Sequence, residues 1–175
     1  WAFRSPQLET RKKDMLFVID EIIKYNQNTE SIWGNINSQK IGVFGHSFGG
    51  ATSLMAAVED ERIDACISLD SWFVPIPDNV INNGIHKPYL YLGRPEWDDS
   101  LNNKKLEVFL ENSFHNAEKI FIPNTSHFDY SDTPFISDRS KLFGISGKIN
   151  NDSLKLKISD KILQFYNFNL RSIHE

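Results

Sequence analysis

The most constraining feature of this sequence is one passage. Ile41-Gly42-Val43-Phe44 is a short apolar run of the kind a buried parallel strand shows, and Gly45-His46-Ser47-Phe48-Gly49 is a turn bracketed by glycines. Gly50-Ala51-Thr52-Ser53-Leu54-Met55-Ala56-Ala57 then continues as a helix former that begins with small residues. The alternation recurs downstream: residues 63–69, 88–92 and 119–122 read as further strands, with a helix over 101–114. Strands alternating with helices build a parallel sheet covered on both faces, so the expected class is α/β. Ahead of the first strand, Met15, Leu16, Val18, Ile19, Ile22 and Ile23 recur at helical spacing, which predicts an amphipathic helix over 14–25. A last helix is expected over 153–170, packing through Leu156, Ile162, Leu163, Phe165 and Tyr166. Residues 128–151 carry Pro, Ser, Asp and short hydrophobic islands without a sustained period, and read as a long surface loop or a partial lid.

A length of 175 residues suits one domain, and residues 1–175 are read as a single unit. The 19 basic and 23 acidic side chains leave a formal charge of −4, and no basic block is longer than Arg11-Lys12-Lys13, which argues against nucleic acid as a partner. No stretch approaches the roughly 18 apolar residues of a membrane helix, and the N-terminus lacks the charged-then-apolar order of a secretory signal. The sequence opens at Trp1 rather than Met, close to a helix, so the compartment is not legible from this end. Linear sequence shows neither the oligomeric state nor an exposed apolar patch, so contact with a membrane surface stays open. Cys66, the lone cysteine, forms no intrachain disulfide and reads as a buried strand residue.

The pattern Gly-x-Ser-x-Gly arises by chance in such a chain about once in twenty tries. Its position between a strand and a helix is what gives it meaning, because that context is a nucleophile elbow, the signature of the α/β-hydrolase fold. The tight turn strains the backbone of Ser47 and pushes its hydroxyl outward, while Gly45 and Gly49 are expected to let strand and helix approach closely. At the helix N-terminus the N–H of Phe48 lies where an oxyanion would form. The bland alternative is a glycine-rich turn with a structural serine.

A serine hydroxyl needs a base, and the base needs an orienting acid, met along the chain in the order Ser, Asp or Glu, His. Of the five histidines, His46 lies inside the elbow, His86 precedes a strand, His115 ends a helix and His174 is in the tail. His127 follows the last predicted strand in Pro123-Asn124-Thr125-Ser126-His127 and is the candidate base; the competing reading is a surface or capping histidine. Asp70, at the tip of Ala65-Cys66-Ile67-Ser68-Leu69, is the preferred acid, because a carboxylate leaving a buried apolar strand needs a partner for its charge. Asp98 is the second candidate, followed by Glu96 and Asp99, all in a polar turn; Asp129 and Asp132 read as loop structure. Trp72 and Phe73, just past the acid, either line an apolar substrate pocket or are ordinary core or rim aromatics.

The segment 40–52 followed by Leu69-Asp70-Ser71-Trp72-Phe73-Val74-Pro75 resembles the plasma-type platelet-activating-factor acetylhydrolases, with Ser126-His127-Phe128-Asp129-Tyr130-Ser131-Asp132-Thr133-Pro134 more similar to their bacterial relatives. The resemblance covers about 11–170 and is strongest over 40–75. It implies a calcium-independent serine esterase or lipase without cofactor or metal, acting on a small ester or phospholipid by removing a short acyl group. On the family's pattern Ser47 is the nucleophile, Asp70 the acid, His127 the base and Phe48 an oxyanion donor. That family also carries several strands and a second oxyanion-donating loop upstream of the matching region. The expectation is therefore the C-terminal portion of a longer α/β-hydrolase domain, with a shortened homologue as the alternative. The competing functions are a general carboxylesterase or dienelactone-hydrolase-like enzyme, which shares the triad, and a hydrolase-fold binding module without activity.

Overall fold

The computed structural model describes residues 4–28, 30, 32–95, 100–114 and 117–171. Helix α1 (Arg4–Asn26) leads through a 3-10 turn (Ile32–Asn35) into strand β1 (Ile41–His46), and α2 (Phe48–Glu59) starts one residue later. Strand β2 (Ile63–Leu69), α3 (Asp78–Asn83), β3 (Tyr89–Gly93), α4 (Leu101–Glu111) and β4 (Ala117–Phe121) continue the alternation. Short α5 (Thr133–Ile136) is flanked by two 3-10 turns (His127–Tyr130 and Asp138–Ser140), and α6 (Asn151–Leu170) follows. The strands form a parallel sheet in the order β1-β2-β3-β4, the arrangement of the α/β-hydrolase class.

Period-two alternation sends neighbouring strand residues to opposite faces. Cys66, Tyr89 and Tyr91 enter a core with Leu54, Ile63, Phe73 and Phe109 beneath α1 to α4. Ile67, Leu69, Leu90 and Leu92 point the other way, where Ile158, Ile162, Phe165 and Tyr166 of α6 pack against their cluster. Removing a Leu or Ile side chain fully from water is worth about 1.5–3 kcal/mol, so strands apolar on both sides require both covers. Cys66 is fully buried, as a strand residue of this kind should be, and burial pushes its thiol pKa up.

Several boundaries differ from the sequence reading for identifiable reasons. Helix α1 starts well ahead of residue 14, because Leu8 and Lys12 extend the inward stripe of Met15, Leu16, Ile19 and Ile23. Lys12 hid that stripe: it is only 4% exposed and is paired with Glu9 and Glu59. Val18, expected inward, is half exposed. In α6, Leu156 and Leu163 face solvent at 62% and 58% exposure, a correction to the expected packing face. Leu154, which is fully buried, and Ile158 take their place, since 154, 158, 162 and 165 follow one stripe while 156 and 163 lie on another. The six residues of α3 are too few to show a period, and residues 128–151 contain three short helical pieces rather than plain loop.

Candidate active site

Strand β1 ends at His46 and the chain reverses at Ser47, whose backbone lies at φ 56° and ψ −119°. A non-glycine residue there carries strain of order 1–3 kcal/mol and persists only when its surroundings hold it. The Ser47 N–H donates to the Leu69 carbonyl at 2.9 Å, and the Ser47 carbonyl accepts from Trp72 N–H at 3.1 Å and Ala51 N–H at 3.2 Å. The Ser47 hydroxyl is not spent on capping α2.

Close approach at this turn rests on different glycines from those expected. A Cβ on Gly45 would stand 2.4 Å from the Gly49 carbonyl carbon, and one on Gly50 2.8 Å from the Gly45 oxygen. A Cβ on Gly49 would meet nothing within 4 Å. Gly50, on the buried side of α2, is the second spacer, and Gly49 only contributes the backbone that Gly45 abuts.

Asp70 follows β2 with no exposed surface and a φ of 41°. A charge taken wholly out of water needs several partners, and this carboxylate has them. Oδ2 accepts from His127 Nδ1–H at 2.6 Å and lies 3.4 Å from Arg94 Nε; Oδ1 accepts from Arg94 N–H at 3.1 Å and from the Tyr91 hydroxyl at 3.4 Å. Burial, reinforced by the charge of Asp70, raises the Tyr91 pKa, which keeps the phenol a donor. Asn102 in the first turn of α4 holds the loop beyond Asp70: its Nδ2 donates to the Ser71 carbonyl at 3.1 Å and its Oδ1 accepts from Phe73 N–H at 2.6 Å.

His127 opens the 3-10 turn that follows β4, half-buried. A carboxylate only accepts, so the proton on its ring is at Nδ1, and Nε2 is left to accept from the Ser47 hydroxyl at 2.9 Å. Asp129 is structural, as expected, and is 2% exposed: its Oδ2 accepts from Ser126 N–H and Gly147 N–H, both at 2.8 Å, and steadies the histidine turn.

Glu96, Asp98 and Asp99, and the histidines His115 and His174, lie outside the described residues. His86 is exposed beside Phe114. Trp72 is half-buried with its ring 6.1 Å from that of Phe48, the residue after Ser47. Phe73 is a correction, since it is fully buried against Tyr91 and Phe109 and lines no open pocket. Its backbone N–H is tied to Asn102, which turns the ring under the sheet. Among the described residues no group of three His, Cys, Asp or Glu side chains is placed to hold a metal ion.

Sequence reasoning missed Tyr91, Arg94 and Asn102. Arg94 had a signal: it immediately follows β3, and residues just past the carboxyl ends of parallel strands converge on one edge, as Asp70 and His127 do. Asn102 had none, because its role comes from α4 folding over a loop about thirty residues earlier.

Residues 12–172 match the family described as platelet-activating factor acetylhydrolase, isoform II. The platelet-activating factor acetylhydrolase of Gallus gallus is 25% identical over 163 residues, covering 85% of this chain and 38% of the relative. That of Canis lupus familiaris is 29% identical over 136 residues, covering 77% and 30%. A probable 1-alkyl-2-acetylglycerophosphocholine esterase of Arthroderma benhamiae is 28% identical over 155 residues, covering 83% and 37%. The chain thus spans between 30% and 38% of the length of these relatives. In fold it is similar to a ferulic acid esterase from Streptomyces cinnamoneus, with a TM-score of 0.75 and 24% identity over 95% of this chain and 49% of that one. With 12–172 of its 175 residues matched, the chain belongs to the platelet-activating factor acetylhydrolase, isoform II, family.

Proposed function

We propose that this chain carries the catalytic centre of a serine esterase that removes short acyl groups, among them the acetyl group of platelet-activating-factor-like phospholipids. The observation that carries the reading is the continuous relay from Ser47 Oγ through His127 to Asp70, at 2.9 and 2.6 Å. In the proposed reaction Ser47 Oγ attacks the ester carbonyl carbon while His127 Nε2 takes its proton, and Asp70 stabilises the imidazolium. The Phe48 N–H, first in α2 and so without an acceptor inside the helix, stabilises the oxyanion. His127 then returns the proton to the departing alcohol oxygen, leaving an acyl-serine. Water attacks that ester and gives its proton to His127, which passes it to the departing Ser47 Oγ as the free acid leaves, restoring both residues.

Substrate class is supported by the names of the family and of its relatives, which include an esterase for a 2-acetyl glycerophosphocholine. Trp72 and Phe48 offer an aromatic rim for a short acyl chain. Contact with a lipid surface is supported by the segment beyond His127, where Phe128, Phe135, Ile136, Leu142, Phe143 and Ile145 are all exposed. Exposed apolar side chains mark interaction surfaces where they form a contiguous patch.

A fluorophosphonate probe tests the nucleophile. Labelling that vanishes in Ser47→Ala, with hydrolysis falling steeply beyond short acyl chains, is the expected result. A folded chain and a folded longer parent that both resist the probe would overturn the reading, and equal rates on long and short esters would favour a general carboxylesterase.

A further inference from the structure

His46 immediately precedes the nucleophile, yet the proposed reaction gives it no task. Its half-buried ring lies at the carboxyl end of β1, with its centroid 4.6 Å from that of His127 and a tilt of 42°. Nε2 is 2.9 Å from the backbone carbonyl oxygen of His127, 81 residues away in sequence. A carbonyl only accepts, so Nε2 carries a proton and donates it. Burial lowers the pKa of His46 and the charge of His127 adds to this, while the carbonyl bond and Asp70 pull the other way. The ring is therefore neutral at neutral pH, and sets no permanent positive charge against the imidazolium that His127 becomes during turnover.

The two histidines belong to different parts of the fold. His46 is the last residue of a strand paired in register with β2, opposite Leu69. His127 sits in a turn beyond the edge strand β4, steadied by Asp129 but outside the sheet. The side-chain bonds of His127 orient its ring; the bond from His46 ties its main chain to the strand that carries the nucleophile. We infer that His46 is a positioning residue, whose Nε2–H clamps the His127 main chain to β1 and so sets the distance from the imidazole to the Ser47 hydroxyl. This role rests on the esterase reading given above.

The test compares His46→Ala, which removes the donor, with His46→Gln, whose amide nitrogen reaches about as far as Nε2. Ester turnover and thermal stability are measured for both beside the unmodified chain. A misplaced catalytic group costs up to about a hundredfold, so kcat should fall about tenfold to a hundredfold in the alanine variant with KM within about twofold, and should largely recover in the glutamine variant. The proton on His127 Nδ1, in its short bond to Asp70, should give a far-downfield NMR line that needs no activity to read. That line should broaden or vanish in His46→Ala and persist in His46→Gln. Unchanged kcat in a folded alanine variant, a loss confined to KM, or a glutamine variant as impaired as alanine would overturn the inference. A chain and a longer parent that both turn over no ester would instead refute the esterase reading, and the NMR line alone would then decide the role of His46: its persistence in the alanine variant would refute the clamp.

Discussion

Gly50 and Ser71 stand so close that a Cβ on the glycine would lie 2.7 Å from the Ser71 Cβ and 2.8 Å from its hydroxyl oxygen. The contact joins the first turn of α2 to the loop beyond Asp70, so the proposed nucleophile and the proposed acid share one packed junction. Overfilling a packed site costs about 1–3 kcal/mol, and Gly50→Ala should lower stability by that amount and reduce probe labelling of Ser47. Gly49→Ala meets no neighbour within 4 Å and replaces a helical glycine, so it should leave stability unchanged or raise it by up to about 1 kcal/mol. Urea unfolding of the two variants side by side checks the contrast.

Asp70→Asn keeps the size of the side chain and removes its charge. The amide can offer N–H to His127 Nδ1 and so favour the wrong tautomer, with Nε2 protonated and unable to take the Ser47 proton. Turnover should fall on the order of 10³–10⁴-fold with little change in KM. The second sequence candidate supplies the control: Asp98→Asn should stay within a few-fold of the unmodified chain. Steady-state kinetics on a short-chain ester reads both, and the opposite pattern would transfer the acid role to Asp98.

Trp72 and Phe73 are neighbours in sequence with opposite surroundings. Phe73 is wholly enclosed by Tyr91 and Phe109, and Phe73→Ala should cost about 3–5 kcal/mol, measurable as an earlier urea midpoint. Trp72 is half-buried beside Phe48, so Trp72→Ala should leave most of the stability and raise KM for short acyl esters.

That pair marks how far the sequence could be read. The strand-turn-helix of 41–57 identified the elbow, since both the glycines and the change of period are local. Asp70 and His127 were legible because each follows an apolar strand, and parallel strands deliver their carboxyl ends to one edge. Which of Trp72 and Phe73 faces the core depends on a backbone bond to Asn102 in a later helix, and no local pattern records it. The same holds for Leu156 and Leu163, apolar residues on an exposed stripe of α6, and for Lys12, a charge inside the inward stripe of α1.

His46 gives the stability of the fold a pH dependence of known sign. Burial first, and electrostatic repulsion from His127 on protonation second, lower its pKa below the ordinary value near 6.5 that it regains on unfolding. Between the two values the unfolded chain binds more protons, so stability is full above about pH 6.5 and declines as the solution becomes more acidic. His46→Gln does not titrate at this position. Between pH 7.5 and pH 5 the unmodified chain should therefore lose more stability than the variant, measured by urea midpoints; parallel losses would show that His46 is not the group responsible.

Asn102 is a buried side chain whose bonds hold the same junction beside Ser71. It is 1% exposed, donates to the Ser71 carbonyl and accepts from Phe73 N–H, bracketing the loop that leaves Asp70. Asn102→Ala leaves two backbone groups buried without these partners, each costing about 1–3 kcal/mol unless water enters. Because Trp72 N–H in the same loop bonds the Ser47 carbonyl, slack there reaches both Asp70 and Ser47. Asn102→Ala should therefore lose stability and turnover together, whereas Phe73→Ala removes packing but keeps those backbone bonds. Comparing kcat at matched fractions of folded protein separates the two: the asparagine variant should retain a turnover deficit after that correction, and equal corrected rates would confine Asn102 to a purely structural role.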